Sequence, residues 1–202
     1  KLFKHLGEHK AAVLLIILLL VGQAYCDLAL PSYTSDIVDV GIQQGGIENA
    51  VPERMREETF DSLSLFMTED EKNEALQAYD LKDGIYERNT SDKETIDRLN
   101  QDFGMPMVIL SSIQDSGQTD MAGLKEMMAA KGIDDTKLQE MKKQAAEEMG
   151  DMSDSIITQK AILFIKAEYE AMGMDLNDVQ MNYLLSTGAK MLGLTLLMMA
   201  AA

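Results

Sequence analysis

The sequence contains one cysteine, Cys26, among 202 residues. A single thiol forms no disulfide within the chain, and a thiolate zinc cluster is excluded. Whatever is ordered here must be ordered by packing. Basic residues are also scarce, with 18 Lys and Arg against 34 Asp and Glu. Phosphate binding needs a concentrated basic surface, so no nucleic-acid partner fits. Acidity alone makes no metal site, and no convergent His or Cys cluster accompanies it. The 16 methionines read as flexible packing residues rather than soft-metal ligands, because a pair such as Met127 and Met128 cannot share one helical face. Sustained period-2 alternation is missing too, which predicts helices rather than strands.

The charge that is present is unevenly spread. Residues 31–180 carry 32 acidic and 14 basic side chains, a net −18. The first ten residues are basic, with Lys1, Lys4 and Lys10 against Glu8. Ala11 to Leu30 is an apolar stretch of 20 residues whose one charge is Asp27. At about 1.5 Å per residue it covers the roughly 30 Å hydrocarbon core of a bilayer. A second run, "YLLSTGAKMLGLTLLMMAAA" from Tyr183, has Lys190 as its one charge, a cost of a few kcal/mol at a bilayer centre. Basic head, apolar run, acidic middle and apolar tail are the plan of a membrane protein whose middle lies in water.

The expected fold is an all-α membrane protein with two transmembrane helices flanking a helical extracellular insertion. Residues 1–10 form a cytoplasmic surface helix, in which Leu2, Phe3 and Leu6 interleave with the cations and His5 and His9. Residues 11–46 form the first transmembrane helix and its outward extension. Residues 47–180 form an acidic helical extracellular domain, and 181–202 the second transmembrane helix. The positive-inside tendency places the N-terminus in the cytoplasm of a multi-pass plasma-membrane protein, with lipid as its first partner. The chain starts with Lys1 rather than Met and stops at Ala202 inside an apolar segment without a polar flank. It is read as a piece of a longer protein, cut within its second membrane helix.

Within the middle, Thr68 with Glu71 and Ser91 with Glu94 fit the capping-box spacing. Phe60, Leu63 and Met67 share a helical face, as do Ile157, Ala161, Phe164, Ile165 and Met172, and Gly132, Gly150 and Gly173 punctuate the later helices. Asn89-Thr90-Ser91 matches a glycosylation sequon, a pattern too short to weigh much.

The stretch "QAYCDLALPSYTSDIVDVGIQQGG" from Gln23 decides between a cleaved leader and a continuing helix. A signal peptide needs small residues at its cleavage site, which Gln23, Ala24 and Tyr25 do not supply, and Tyr25 is too bulky before a lipidated Cys26. Leu30, Tyr33, Ile37 and Val40 recur at helical spacing while Ser32, Asp36 and Asp39 point elsewhere. The helix is therefore expected to pass through Pro31, kinked near Asp27 where a carbonyl loses its amide partner, and to end at Gly45-Gly46. Residues 11–44 would measure about 50 Å, so the outer half must stand in water.

"CDLALPSYTSDIVDVGIQQGGIENAVPERMR" and the later "DLNDVQMNYLLSTGAKMLGL" resemble the flanks of the first extracellular loop in bacterial ABC-type exporters, the multidrug or peptide exporter-like fusions of permease and ATPase. The similarity covers residues 1–58 and 168–202, and the middle loosely. It implies the N-terminal part of a six-helix transmembrane domain fused to a nucleotide-binding domain, with a second exporter subunit, identical or not, as partner and an unidentified exported substrate. ATP and Mg would belong to that absent nucleotide-binding domain. Here "DSGQTD", Asp115–Asp120, lacks the Leu and second Gly of the ABC signature, and "TGAKML", Thr187–Leu192, has no Gly-Lys pair and no Gly five residues before Gly188. No catalytic, cofactor or metal residue is assigned, and this chain is not itself an enzyme. Asp27 is the one substrate-path candidate, since an intramembrane carboxylate is functional by default. The bland alternative is that it is hydrated at the outer boundary or bonds a neighbouring helix. Two other functions share the plan: a two-crossing sensor of the chemoreceptor or sensor-kinase type with a helical ligand-binding domain, and an anchored extracellular interaction domain. The acidic middle could equally be a solvated cover.

Overall fold

The computed structural model describes residues 10–115 and 154–201, and between them Thr136, Lys137, Glu140 and Lys142. The surface helix of residues 1–10 therefore lies, except for Lys10, outside the described residues. So do the Met127-Met128 pair, Gly132, Gly150 and all of "DSGQTD" beyond Asp115. The described residues are mostly helical. It divides into two compact units, Lys1–Ile47 with Asn177–Ala202, and Glu48–Leu176.

The first unit contains α1 (Lys10–Asp36), which runs on without interruption as a π-helical segment (Ile37–Gln43), and the last helix, α6 (Leu176–Ala201). Pro31 lies inside α1, as the recurrence of Leu30, Tyr33, Ile37 and Val40 predicts. The wider π winding over the last seven residues is not visible in a 3.6-residue pattern. Its end is tight. The Gln44 amide donates to the Asp39 carbonyl at 3.1 Å and the Gly46 amide to the Val40 carbonyl at 2.9 Å. Gly45 and Gly46 then take φ of +70° and +85°, the left-handed conformation that stops a helix.

Both helices are long and apolar enough to cross a membrane, over Val13–Gln43 and Leu176–Ala200. Leu14, Leu18, Val21 and Leu28 on α1 and Leu192, Leu196 and Met199 on α6 are each more than half exposed. A helix at the core of a water-soluble domain would bury such residues. Apolar surface this continuous calls for lipid or another helix over it.

The second unit departs from the all-helical expectation. Between its helices stands a three-stranded antiparallel sheet, β1 (Arg54–Arg56), β2 (Tyr79–Lys82) and β3 (Ile85–Arg88), in the order β1-β3-β2. Arg54 pairs with Glu87 and Arg56 with Ile85, while Tyr79 pairs with Arg88 and Lys82 with Ile85. The strands are only three or four residues long, too short for alternation to show. Asp83 and Gly84 both have positive φ, 51° and 76°, the two-residue turn that Asp-Gly favours between hairpin strands. That dipeptide was the available signal.

Around the sheet pack α2 (Glu57–Ser64), α3 (Glu69–Ala78), α4 (Lys93–Asp115) and α5 (Asp154–Ala171). Thr68 and Glu71 form the predicted capping box, each side chain bonding the other residue's backbone amide. At α4 the expected Ser91–Glu94 box gives way to Asp92. Its carboxylate accepts from the Thr95 amide at 2.9 Å and hydroxyl at 2.8 Å, because the helix begins one residue later. Phe60, Leu63, Leu99, Phe103, Met107, Leu110, Ala161 and Ile165 are essentially inaccessible and form the core. Phe103 meets Phe60 and Tyr79 edge-on, with ring centroids 6.5 and 6.0 Å apart, a favoured aromatic geometry. A Cβ on Gly104 would sit 3.1 Å from Ile157 Cγ2, so α4 and α5 approach closely at that residue.

Candidate functional site

Asp27 follows the turn of α1 that holds Cys26, and the two neighbours differ. Cys26 is 2% exposed, while the Asp27 side chain is exposed. Asp27 has no hydrogen-bond or ion-pair partner among the described residues. Four residues on, Pro31 supplies no amide to the Asp27 carbonyl, and the Thr34 hydroxyl donates to the Leu30 carbonyl at 3.0 Å. Asp39, by contrast, is held along its own helix, accepting from the Ser35 hydroxyl at 2.8 Å and the Gln43 amide at 3.1 Å. Of the carboxylates on the first helix, Asp27 is thus an unpartnered charge on an apolar surface.

The C-terminal end of this helix is joined to α6. The Gln180 side-chain amide donates to the Gly41 carbonyl at 2.8 Å, one of the carbonyls that a helix end leaves without a partner. A Cβ on Gly41 would lie 2.5 Å from Leu184 Cδ2, and one on Gly46 would lie 2.9 Å from both Gln180 Cα and the Val179 carbonyl oxygen. Glycine at both positions allows two backbones to approach within side-chain distance. Sequence reasoning read Gly45-Gly46 as a helix stop and did not find Gly41 or Gln180. A glycine inside an otherwise amphipathic stretch was the signal.

In the second unit the most organised charge is Glu168, 6% exposed. Its Oε1 accepts from the Arg56 amide at 2.8 Å and Arg56 Nε at 3.1 Å. Its Oε2 accepts from Arg56 Nη2 at 2.8 Å and the Thr59 hydroxyl at 2.9 Å. Burial pushes this carboxyl up, but the Arg56 and Thr59 donors together outweigh it and hold the group below its ordinary range. Arg56 also pairs with Glu58. One residue along α5, the Tyr169 hydroxyl accepts from the Glu53 amide at 2.8 Å, and burial pushes its pKa up to about 12. The Tyr79 hydroxyl donates to the Pro52 carbonyl at 2.6 Å. These contacts use the available donors and acceptors internally, so the group ties β1 to α5 and offers little to a substrate.

A second cluster lies on α3 and α4. Burial, then the carboxylates of Glu71 and Glu74, push Asp102 up to about 6. Glu71 is paired with Lys142 at 2.5 Å and Glu74 with Arg98 at 2.6 Å. Because the folded value is raised, the Asp102 contribution to stability is fully present below the unfolded value and is lost as pH rises through about 6. Asp102→Asn should therefore raise the melting temperature at pH 7 by the equivalent of less than about 1 kcal/mol, given the partial exposure of the group. It should also flatten the melting profile between pH 4 and 6. A lower melting temperature at pH 7 would show that Asp102 has an attractive partner instead.

Among the described residues, no three His, Cys, Asp or Glu side chains are grouped to hold a metal ion. No known family, no curated protein and no solved structure matches this chain.

Proposed function

We propose that this chain supplies the first two membrane helices and the extracellular domain of an ATP-driven ABC exporter subunit. In this reading α1 and α6 cross the plasma membrane with the N-terminus in the cytoplasm, and the unit Glu48–Leu176 stands outside. ATP and Mg act in a nucleotide-binding domain beyond this chain. The observation that carries the reading is the continuity of the first helix from Lys10 to Gln43 through Pro31. A helix much longer than a bilayer is thick suits a translocation path that extends past the membrane surface. It adds to the resemblance of the Cys26–Arg56 and Asp175–Leu194 segments to exporters.

The sensor reading keeps one point in its favour, the compaction of residues 48–176 into a unit of their own. The coding sequence past residue 202 separates the two. Four further apolar helices and a Gly-rich phosphate loop support the exporter; a coiled coil leading into a kinase overturns it.

Asp27 is the residue through which the substrate path is tested. Its carboxylate is exposed and unpartnered among the described residues, so a cationic or hydrogen-bonding substrate would find it available. Asp27→Asn in the complete transporter should weaken substrate-stimulated ATPase by about ten- to a hundredfold in apparent affinity, the loss of a charge-assisted contact of roughly 1.5–3 kcal/mol. Unchanged transport together with unchanged stimulation would remove Asp27 from the path.

A further inference from the structure

The position of Lys190 relative to the membrane is set by the contacts between the two long helices. On α1 the apolar run ends at Leu30, and Pro31, Ser32, Thr34, Ser35, Asp36 and Asp39 follow at once. On α6 the polar side chains Asn177, Asp178, Gln180 and Asn182 fill the first turns, Lys190 is the last charge, and Met191 to Ala201 has none. Length and composition alone allow a spanning window to slide along Leu176–Ala200. The glycine contacts remove that freedom.

Gly41 meets Leu184 and Gly46 meets Gln180, so the helices are antiparallel where they touch. From that contact, ten residues back along α1 reaches Pro31, and ten residues forward along α6 reaches Leu194. Counting six residues in each direction from it arrives at Ser35 and Lys190. At about 1.5 Å per residue, Lys190 stands roughly 6 Å outside the level of Pro31 and Leu194. The headgroup layer on each side of the hydrocarbon core is about that thick.

We propose that the outer membrane surface crosses α1 at Leu30–Pro31 and α6 between Lys190 and Leu194. Residues 31–46 and 176–190 then form a two-helix stalk outside the bilayer, clasped by the bond from Gln180 to the Gly41 carbonyl, and the Lys190 ammonium lies among lipid phosphates. The charge distribution agrees at both crossings: on α6 the last charge, Lys190, gives way to the uncharged run Met191–Ala201, and on α1 the polar residues from Ser32 to Asp39 give way to an apolar run whose one charge is Asp27. Lys190 is exposed and has no carboxylate partner among the described residues, so its counter-ion must come from elsewhere. At the headgroup level anionic lipid supplies one, whereas the same cation at the bilayer centre would cost about 2.5–3.5 kcal/mol or more. The start of the second crossing moves from residue 181 to about Met191. Asp27 falls inside the boundary, about one helical turn below Pro31.

The inference rests on the two-span reading and is independent of exporter identity. Its test is thiol accessibility in the full chain carrying Cys26→Ala, in membrane vesicles open to reagent on both faces. Single substitutions Leu20→Cys, Ser35→Cys, Ser186→Cys, Lys190→Cys and Leu197→Cys all lie at side chains exposed in the fold, so lipid is the cover that decides reactivity. Bringing a charged maleimide into hydrocarbon costs several kcal/mol, and each 1.36 kcal/mol is tenfold in rate. Cysteines at 35, 186 and 190 should react at least about tenfold faster than those at 20 and 197. Nitroxide labels at the same positions should collide more with a nickel chelate than with oxygen at 35, 186 and 190, and the reverse at 20 and 197. Slow reaction at 186 and 190, matching 197, would overturn the boundary and return the crossing to the start of the apolar run. Fast reaction at 20 would overturn the membrane crossing of α1 itself, and the proposal with it.

Discussion

Glu168→Gln is expected to destabilise the unit Glu48–Leu176 by about 3 kcal/mol, the lower end of the range for breaking a buried ion pair. Arg56 sets that lower end, since its guanidinium is 37% exposed and keeps some water while the Glu168 side chain is only 5% exposed. An amide of the same shape turns an NH2 toward donors that need an acceptor. The Arg56 amide and side chain and the Thr59 hydroxyl all point at this group, and an unsatisfied buried partner costs more than the lost bond itself. The bond is also long in sequence, joining β1 and the first turns of α2 to α5 across more than a hundred residues. Thermal unfolding of the full chain in detergent, followed by circular dichroism, measures the loss. A pH series gives a second reading. The folded Glu168 carboxyl lies below its ordinary value, so its contribution is present above the unfolded pKa and is lost as pH falls through the folded one. The Gln variant should lack that part of the acid limb. An unchanged acid limb would mean that the ion pair contributes nothing to stability.

The second large effect is at Gly46. Gly46→Ala places a side chain at φ +85°, a strain of about 1–2 kcal/mol for any residue with a Cβ. The new atom also sits 2.9 Å from Gln180 Cα and the Val179 carbonyl oxygen. These are backbone atoms, which cannot swing away, so the two helices must part or the turn must refold. A combined cost of about 2–4 kcal/mol is expected once overpacking is added to the strain. Gly41→Ala makes a shorter nominal contact, 2.5 Å, but with Leu184 Cδ2, the far end of a flexible side chain, and Gly41 has no positive φ. It should cost roughly 1 kcal/mol, the low end for overpacking. Melting temperatures of the two variants in one detergent give the order directly. If Gly41→Ala is the more damaging, the close approach at Gly46 is not what joins these helices.

The two variants also mark where one-dimensional reading stops. Pro31 inside a helix was legible, because the spacing of Leu30, Tyr33, Ile37 and Val40 carries across it. The Thr68–Glu71 capping box was legible because both partners lie within one turn. Asp92 was missed as a cap because Ser91 fits the same rule one position earlier, and only the place where α4 begins decides between them. The sheet was missed for a different reason. Strands as short as Arg54–Arg56 gain their stability from ladders to distant residues and from α5 behind them, neither of which leaves a periodic trace. The Asp83-Gly84 hairpin turn was the one local sign.

For the candidate site, the sequence singled out Asp27 by contrast with its apolar surroundings, and the fold left it exposed and unpartnered among the described residues. Gln180, Arg56 and Glu168 carried no such contrast, and Gly41 only that of a glycine inside an amphipathic stretch. A glycine, a glutamine and two charges in an acidic stretch are unremarkable until chain segments more than a hundred residues apart are brought together.

By itself the sequence determined the long apolar helices, their continuation past a proline and the acidity of what lies between, since each is set by neighbours within a few turns or by composition. The tertiary structure alone decided the sheet, the buried Glu168 acceptor and the register of the two helices at Gly41 and Gly46. Those depend on which distant atoms come within 3 Å of one another, a distance no local pattern encodes.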